Sequence, residues 1–99
     1  MTVVWHERKR RRNIAEHQVD FAIAAEIFEG NYVQAQDPRE YQEPHFIALG
    51  EFEGRNYVVV FTWREESWRI ISAWRVGDGG KRRYQKLLAR GSAGDEGSG

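Results

Sequence analysis

The chain has 99 residues, and its 15 basic and 15 acidic side chains give a formal net charge of zero. This length corresponds to one small domain that buries roughly two thirds of its unfolded-chain surface. Four Trp, four Tyr and five Phe exclude disorder throughout, and the absence of cysteine excludes a disulfide scaffold, a Cys-ligated zinc site and a Cys nucleophile. The longest apolar run, residues 57–63, is too short to span a bilayer, and no signal peptide opens the sequence. We therefore expect a cytoplasmic protein without a membrane association.

The neutral total is an average over segments of opposite charge. Residues 1–12 carry five basic and one acidic side chain, and residues 75–90 carry six basic and one acidic. Residues 13–74 between them carry four basic and eleven acidic side chains. A chain that is basic near both ends presents a local positive field if the two ends meet on one surface.

The first third of the chain predicts one strand and two helices. Residues 3–5 form a short apolar strand, and a polar helical pattern follows over residues 7–17. Asp20 is the predicted N-cap of a second helix, which ends at Gly30. Apolar residues recur in this helix at i, i+3, i+4 and i+7, at Phe21, Ala24, Ala25 and Phe28.

The middle of the chain predicts a meander of strands. Four strands are expected, at residues 32–36, 45–52, 55–64 and 68–75. Asp37 closes an Asx-type turn over residues 37–40, and short turns at residues 53–54 and 64–67 connect the last three strands. Strict alternation along the last strand places four residues on one face, namely Trp68, Ile70, Ser72 and Trp74.

The end of the chain predicts one more helix and a tail. Glycines at 77, 79 and 80 break the chain before a helix at residues 81–89, and residues 91–99 form a low-complexity flexible tail. The domain therefore comprises residues 1–90. Because helices precede and follow hairpin-linked strands, we predict an α+β fold: a small antiparallel sheet with two N-terminal helices and one C-terminal helix on one face.

Several segments match one known family in order and approximate spacing over residues 1–86. They are WHERKRRRNIAEH at 5–17, VDF at 19–21, DPREYQEPHFIALG at 37–50, VVVFTWR at 58–64, RIISA at 69–73 and RRYQ at 82–85. Within the first segment, the matching residues are Trp5, Lys9, Asn13 and His17. Together these segments resemble the BrnT toxins of type II toxin–antitoxin systems.

The resemblance implies a fold, an activity and a partner. The fold is RelE-like, and the activity is that of a metal-independent endoribonuclease, a hydrolase that cleaves mRNA and inhibits growth without a cofactor. The partner is a BrnA-like antitoxin, a small DNA-binding protein that neutralises the toxin in a hetero-oligomer.

The chain departs from the usual BrnT pattern at five positions. Gly is usual where this chain has Gln18 and Gln42, and Arg is usual where it has His45. The Arg that usually follows RIISA is Trp74, and the Glu one turn before the last tyrosine is Gly80. The last two departures support an alternative function, a catalytically weakened toxin-like domain that binds an antitoxin or RNA.

Metal-free RNA cleavage uses the 2′-OH as the nucleophile on the neighbouring phosphate. The reaction requires a base, charge stabilisation on the phosphoryl oxygens and an acid for the leaving oxygen. Arg64 and Arg75 each end a predicted strand, and a guanidinium matches two phosphate oxygens at once, so both are candidate catalytic residues. The alternative for each is a solvated arginine at a strand end.

Tyr84 and His17 are candidate acid–base residues. Tyr84 lies among cations, which favour an ionised phenol, so it could act as an acid or stack on a base. The alternative is an aromatic side chain that packs on the sheet. His17 has an ordinary pKa close to neutrality, and its alternative is an interaction with the C-terminal carbonyls of the first helix.

Five further cations are candidate RNA-binding residues, namely Lys9, Arg10, Arg69, Lys81 and Arg83. Binding through them predicts a strong dependence on salt. The alternative for Arg69 is an edge residue or an ion-pair partner of the acidic hairpin. The three scattered histidines do not form a metal-site pattern such as HExxH, so no metal is expected.

Overall fold

A computed structural model describes residues 2–39 and 42–98, with side chains as far as residue 89. The strands in chain order are β1 (Thr2–Trp5), β2 (Tyr32–Gln36), β3 (Phe46–Phe52), β4 (Arg55–Arg64) and β5 (Ser67–Val76). The helices are α1 (Glu7–His17), α2 (Phe21–Ala24), which continues as a 3₁₀ helix (Ala25–Glu29), and α3 (Asp78–Ser98). Within the described residues, the five strands form one sheet in the order β1-β5-β4-β3-β2.

This architecture confirms the predicted α+β fold and the predicted order of elements. The side chain of Asp20 caps α2, and the turns between β3 and β4 and between β4 and β5 each contain two residues with positive φ, as tight hairpins require. Asp37 accepts from the Arg39 N–H at 3.0 Å in the predicted Asx turn, whose last residue, 40, lies outside the described residues. The RelE-like label and the boundary between domain and tail stay predictions.

The sheet is mixed, whereas the sequence predicted an antiparallel one. β2 to β5 form the expected antiparallel meander. β1, however, pairs with β5 in parallel, from Thr2 opposite Ser67 to Trp5 opposite Ile70. Helices α1 and α2 and strands β2 to β4 lie between β1 and β5 in the sequence, so no hairpin sets the register of these two strands and only tertiary packing brings them together.

The prediction that all helices lie on one face was wrong, because both faces of the sheet carry apolar side chains. Neighbouring residues of a strand point to opposite sides. Ile27, from the 3₁₀ helix, is buried with Val59 of β4 on one side, which we term the α2 face. Leu88 of α3 is buried with Val58 of β4 on the opposite side, the α3 face. α1 lies on neither face but along the edge of β5.

A bulge in β5 separates two tryptophans that strict alternation places together. The register between β4 and β5 shifts between Val60 and Phe61, and Ile71 is left as the extra residue of β5. Trp68 consequently packs on the α2 face, whereas Trp74 packs on the α3 face. The predicted shared face was wrong, because alternation continues only up to the bulge.

A side chain of α1 closes the part of the β5 edge that β1 does not cover. Asn13 is 4% exposed, and its Nδ2 donates to the Ala73 carbonyl at 2.8 Å and to the Val19 carbonyl at 2.9 Å. Its Oδ1 accepts from the Ala73 N–H at 3.1 Å. The amide therefore pairs with both backbone groups of Ala73, as a neighbouring strand would, and ties α1 to the sheet.

Replacing Asn13 with Ala is expected to lower the free energy of unfolding by about 3 kcal/mol, because three buried backbone groups lose their partner. Urea denaturation measures the change through its midpoint. Gln34→Ala, which removes an exposed amide on β2, is the matched control and is expected to change stability by less than about 0.5 kcal/mol. Equal midpoints for the two variants would contradict this role of Asn13.

Gln18 ends α1 in the left-handed conformation, with φ 58° and ψ 33°, where Gly has no steric penalty. We expect Gln18→Gly to raise the free energy of unfolding by about 1 kcal/mol and Gln18→Ala to give no such gain. Thermal unfolding of both variants measures the difference. A Tm for Gln18→Gly at or below that of wild type would instead show that the Gln18 Nε2 bond to the Ala15 carbonyl, at 3.2 Å, outweighs the backbone cost.

Candidate functional site

The last turn of α1, the end of β5 and the first turns of α3 meet at one end of the sheet. A cleft of about 540 Å³ opens there, and we name it the Trp74 cleft; its lining residues are Glu16, His17, Gln18, Trp74 and Arg75. The cleft depends on Asn13, since the bonds of this residue to Ala73 hold α1 against β5 one turn before His17.

Trp74 brings two of the predicted site residues together. The His17 ring centroid lies 6.0 Å from that of Trp74, with the planes at 43°. On α3, the Tyr84 ring centroid lies 6.3 Å from the same indole, with the planes at 60°. His17 and Tyr84 therefore flank one tryptophan, although they come from opposite ends of the sequence.

Arg75 lies at the rim of this cleft. It is exposed and stands opposite Tyr57 of β4, on the α2 face. Arg75 also lines a second cleft of about 210 Å³, together with Arg55 and Asp20. Among the described residues, Arg75 makes no ion pair. Its guanidinium is therefore available to an anionic ligand.

Arg55 is a further cation at this end that the sequence analysis missed. It lines two clefts together with Arg75. The alternation of β4 indicates its position, because Arg55 and Tyr57 share one face of the strand. The hairpin register then sets Tyr57 opposite Arg75. The sequence alone does not reveal this pairing of β4 with β5, because the bulge in β5 shifts the register by one residue.

Arg64 does not join the other predicted catalytic residues. It pairs in register with Ser67, at the beginning of β5, while Arg75 pairs with Tyr57. Arg64 lies seven residues after Tyr57 in β4, which is roughly 23 Å along a strand. The Arg64 guanidinium binds the Glu43 carboxylate, with Nε to Oε2 at 3.3 Å, and this hydrogen bond raises the pKa of Arg64. The predicted catalytic arginines thus lie at opposite ends of the sheet.

Arg69 lies nearer to Arg64 than to the Trp74 cleft. It stands opposite Thr62 in β4 and Val4 in β1. Its Nε is buried and has no hydrogen-bond partner among the residues that the structure describes. The predicted RNA-binding cations are therefore divided between the two ends of the sheet.

Arg10 is engaged by acidic side chains of its own chain. Its Nε and Nη2 donate to the two carboxylate oxygens of Asp20 at 2.9 Å each, and its Nη1 pairs with Glu7. These hydrogen bonds hold the pKa of Asp20 below its ordinary value of 3.8 and raise that of Arg10. The structure therefore gives Arg10 a contact between α1 and the cap of α2. Lys9 is exposed, two helical turns before His17.

The cations of α3 begin close to β5. Lys81 lines a cleft of about 460 Å³ that also includes Glu51, and Arg83 is exposed. The first turn of α3 approaches β5 closely, since a Cβ added at Gly80 would lie 2.8 Å from the Val76 Cβ. This close approach accounts for Gly80, because the usual Glu at that position would require a shift of the helix.

The two basic segments meet only in part. α1 and α3 converge on Trp74 through His17 and Tyr84. Within the basic run of α1, however, Arg10 and Arg12 form ion pairs with Asp20 and Glu16. Acidic side chains therefore neutralise part of the positive charge of α1. Arg75, at the cleft, forms no ion pair with any described residue.

The described part of the chain contains no group of three or more His, Asp or Glu side chains that could hold a metal ion. A search of the same residues finds no helix of the length and hydropathy needed to cross a membrane.

These features define a small α+β domain with basic and aromatic side chains grouped at one end of its sheet. The family model described as "Ribonuclease toxin, BrnT, of type II toxin-antitoxin system" matches residues 5–78, so the chain belongs to the BrnT toxin family. The family is thus one of ribonuclease toxins that act with an antitoxin. The match includes His17, Trp74 and Arg75 but ends before Tyr84. Comparison with curated proteins and with solved structures finds no match.

The ion pair between Arg10 and Asp20 predicts a loss of stability in acid. Because the folded state lowers the pKa of Asp20, the stabilisation is complete above the ordinary Asp pKa and is lost as the pH falls through the lower folded value. Asp20→Asn keeps a capping oxygen and removes the charge. We expect wild type to unfold at higher urea than Asp20→Asn near neutral pH, and the difference between the two midpoints to shrink as the pH falls below the ordinary Asp pKa and through the lower folded value. A difference that stays constant over this pH range would refute this linkage.

Proposed function

We propose that the protein is a metal-independent endoribonuclease that cleaves mRNA in the cytoplasm and thereby inhibits growth. The BrnT family match over residues 5–78 is the observation that carries the proposal. A BrnA-like antitoxin neutralises the activity by forming a hetero-oligomer with the toxin. The Trp74 cleft supports this function, because it is lined by a histidine and by an arginine that makes no ion pair among the described residues. Tyr84 contacts the Trp74 indole at the same end of the sheet.

In this proposal, Arg75, His17 and Tyr84 each have one role in cleavage. The 2′-OH of the RNA attacks the neighbouring phosphate, and the 5′-oxygen leaves. Arg75, which no carboxylate in the described residues engages, stabilises the negative charge on the phosphoryl oxygens. His17 and Tyr84, which both contact Trp74, exchange protons with the attacking and leaving oxygens.

The remaining cations extend the RNA path away from the cleft. Lys81 and Arg83 of α3 follow the strand that carries Arg75 and bind phosphates on the α3 side. Along the sheet, Arg64 lies roughly 23 Å and Arg69 roughly 17 Å from the pair formed by Tyr57 and Arg75. They therefore contact a distant part of a longer RNA, Arg64 by exchanging Glu43 for a phosphate. Lys9 adds a contact along α1.

The alternative is a toxin-like domain that has lost catalysis and binds RNA or an antitoxin. Two positions favour it: Trp74 occupies the place of the usual Arg, and the packing of Gly80 on Val76 leaves no room for the usual Glu. In that case the cleft would bind RNA with no cleavage. A cleavage assay with purified protein separates the two functions.

Arg75→Ala is expected to reduce the rate of RNA cleavage on the order of 10²–10³-fold, because one preorganised donor to the phosphoryl oxygens is removed. Arg64→Ala is expected to reduce the rate much less, since Arg64 lies at the other end of the sheet and is bound to Glu43. Gel analysis of a labelled mRNA, with EDTA present, measures the rates. Exposed Arg11→Ala is the matched control.

Three results would contradict the proposal. Loss of cleavage in EDTA would show that the reaction requires a metal ion. RNA that stays intact both with and without ribosomes would favour the non-catalytic alternative. Equal losses for Arg64→Ala and Arg75→Ala would place the reacting phosphate away from the Trp74 cleft. Growth arrest on expression, and its relief by a co-expressed antitoxin, test the biological part.

A further inference from the structure

The indole of Trp74 has no role in the cleavage chemistry, yet Trp74 lines the cleft. We propose that Trp74 is a stacking platform for one unpaired nucleobase of the bound RNA, next to the phosphate held by Arg75. This inference rests on the proposed function and adds a base-binding subsite to it.

The neighbouring rings hold the indole without stacking on it. The planes of His17 and Tyr84 are tilted by 43° and 60° from that of Trp74. Neither ring is therefore parallel to the indole, as a stacked partner would be. The cleft beside it, about 540 Å³, is larger than a nucleobase. A planar base can enter and stack where no protein ring does.

The charges around the cleft suit a nucleotide. Arg75 follows Trp74 directly and is exposed without an ion pair among the described residues. Glu16 also lines the cleft, but its carboxylate pairs with Arg12 at 3.6 Å, which offsets its charge. An aromatic face beside a cation is the arrangement by which proteins bind single-stranded nucleic acid.

The platform is held in place by the core and by the sheet. Trp74 packs on the α3 face with Leu49, Val58 and Leu88. The preceding residue, Ala73, is bound on both backbone groups by Asn13. The indole is thus fixed before RNA arrives, which reduces the entropy lost on binding.

Trp63 provides the matched comparison. It is 47% exposed, but it lies next to Arg64, at the other end of the sheet. Its ring contacts Trp68, with centroids 5.9 Å apart. If any exposed tryptophan bound RNA, replacing Trp63 would weaken binding as much as replacing Trp74. A specific base-binding subsite predicts an effect at Trp74 alone.

Binding of short single-stranded RNA tests the platform separately from cleavage. The oligonucleotides are fully 2′-O-methylated, so that no nucleophile is present, and one base at a time is replaced by an abasic sugar. Fluorescence anisotropy of an end label gives each Kd. In wild type and in Trp63→Ala, one abasic position is expected to weaken binding about 10-fold. In Trp74→Ala, the same abasic position is expected to change Kd less than about 2-fold.

Further variants keep the test valid if Trp74→Ala does not fold. Trp74→Leu retains apolar packing without an aromatic face and is expected to behave as Trp74→Ala. Trp74→Phe retains a ring and is expected to keep most of the dependence on the base. Trp74→Arg restores the usual family residue, and it is expected to lose that dependence while steepening the salt dependence of binding.

Three outcomes would overturn the inference: no binding of the oligonucleotides, an abasic effect of equal size with and without Trp74, or an equal loss in Trp63→Ala. A fourth is a Trp74 variant that loses antitoxin binding and keeps RNA binding unchanged, since Trp74 would then anchor a protein. The proposed function is tested separately. If the protein binds RNA in a base-dependent way but does not cleave unmodified RNA, the stacking role of Trp74 stands and the ribonuclease activity is refuted.

Discussion

The hydrogen bonds between Asn13 and Ala73 are the contact on which the rest of the candidate site depends. β1 covers only the first part of the β5 edge, so the backbone of Ala73 would otherwise be buried without partners. One amide supplies both the donor and the acceptor that a further strand would supply. The same bonds fix the axis of α1, and with it the position of His17 beside Trp74. The same hydrogen bonds therefore satisfy the backbone of the β5 edge and set the geometry of the site.

The bulge in β5 is the second constraint, because it decides which side of the sheet each residue of the cleft occupies. With strict alternation, Trp74 would share a face with Trp68. The extra residue instead turns Trp74 towards α3 and Tyr84, and turns Arg75 towards Tyr57. The cleft thus lies at the sheet edge, where side chains from both faces can reach it. Bulges commonly reorient side chains in this way next to functional sites.

The cations of this protein differ in what surrounds them. Arg10 stabilises the connection between α1 and α2, and Arg64 is bound to Glu43, so neither presents a free guanidinium. Arg75 has no such partner among the described residues. A net charge of zero therefore conceals an uneven distribution, in which acidic residues pair with some arginines and leave others available, among them Arg75 beside Trp74. Local pairing, rather than the total, decides where an anion can bind.

The sequence by itself determined the α+β class, the order of elements, the cap at Asp20 and the hairpin turns, because these follow from local periodicity and turn chemistry. The resemblance to BrnT toxins also came from the sequence. Only the tertiary structure decided that β1 runs parallel to β5, that Arg64 and Arg75 lie at opposite ends, and that His17 and Tyr84 meet at Trp74. These features depend on strand register and on one extra residue in β5, and neither leaves a periodic signal in the chain.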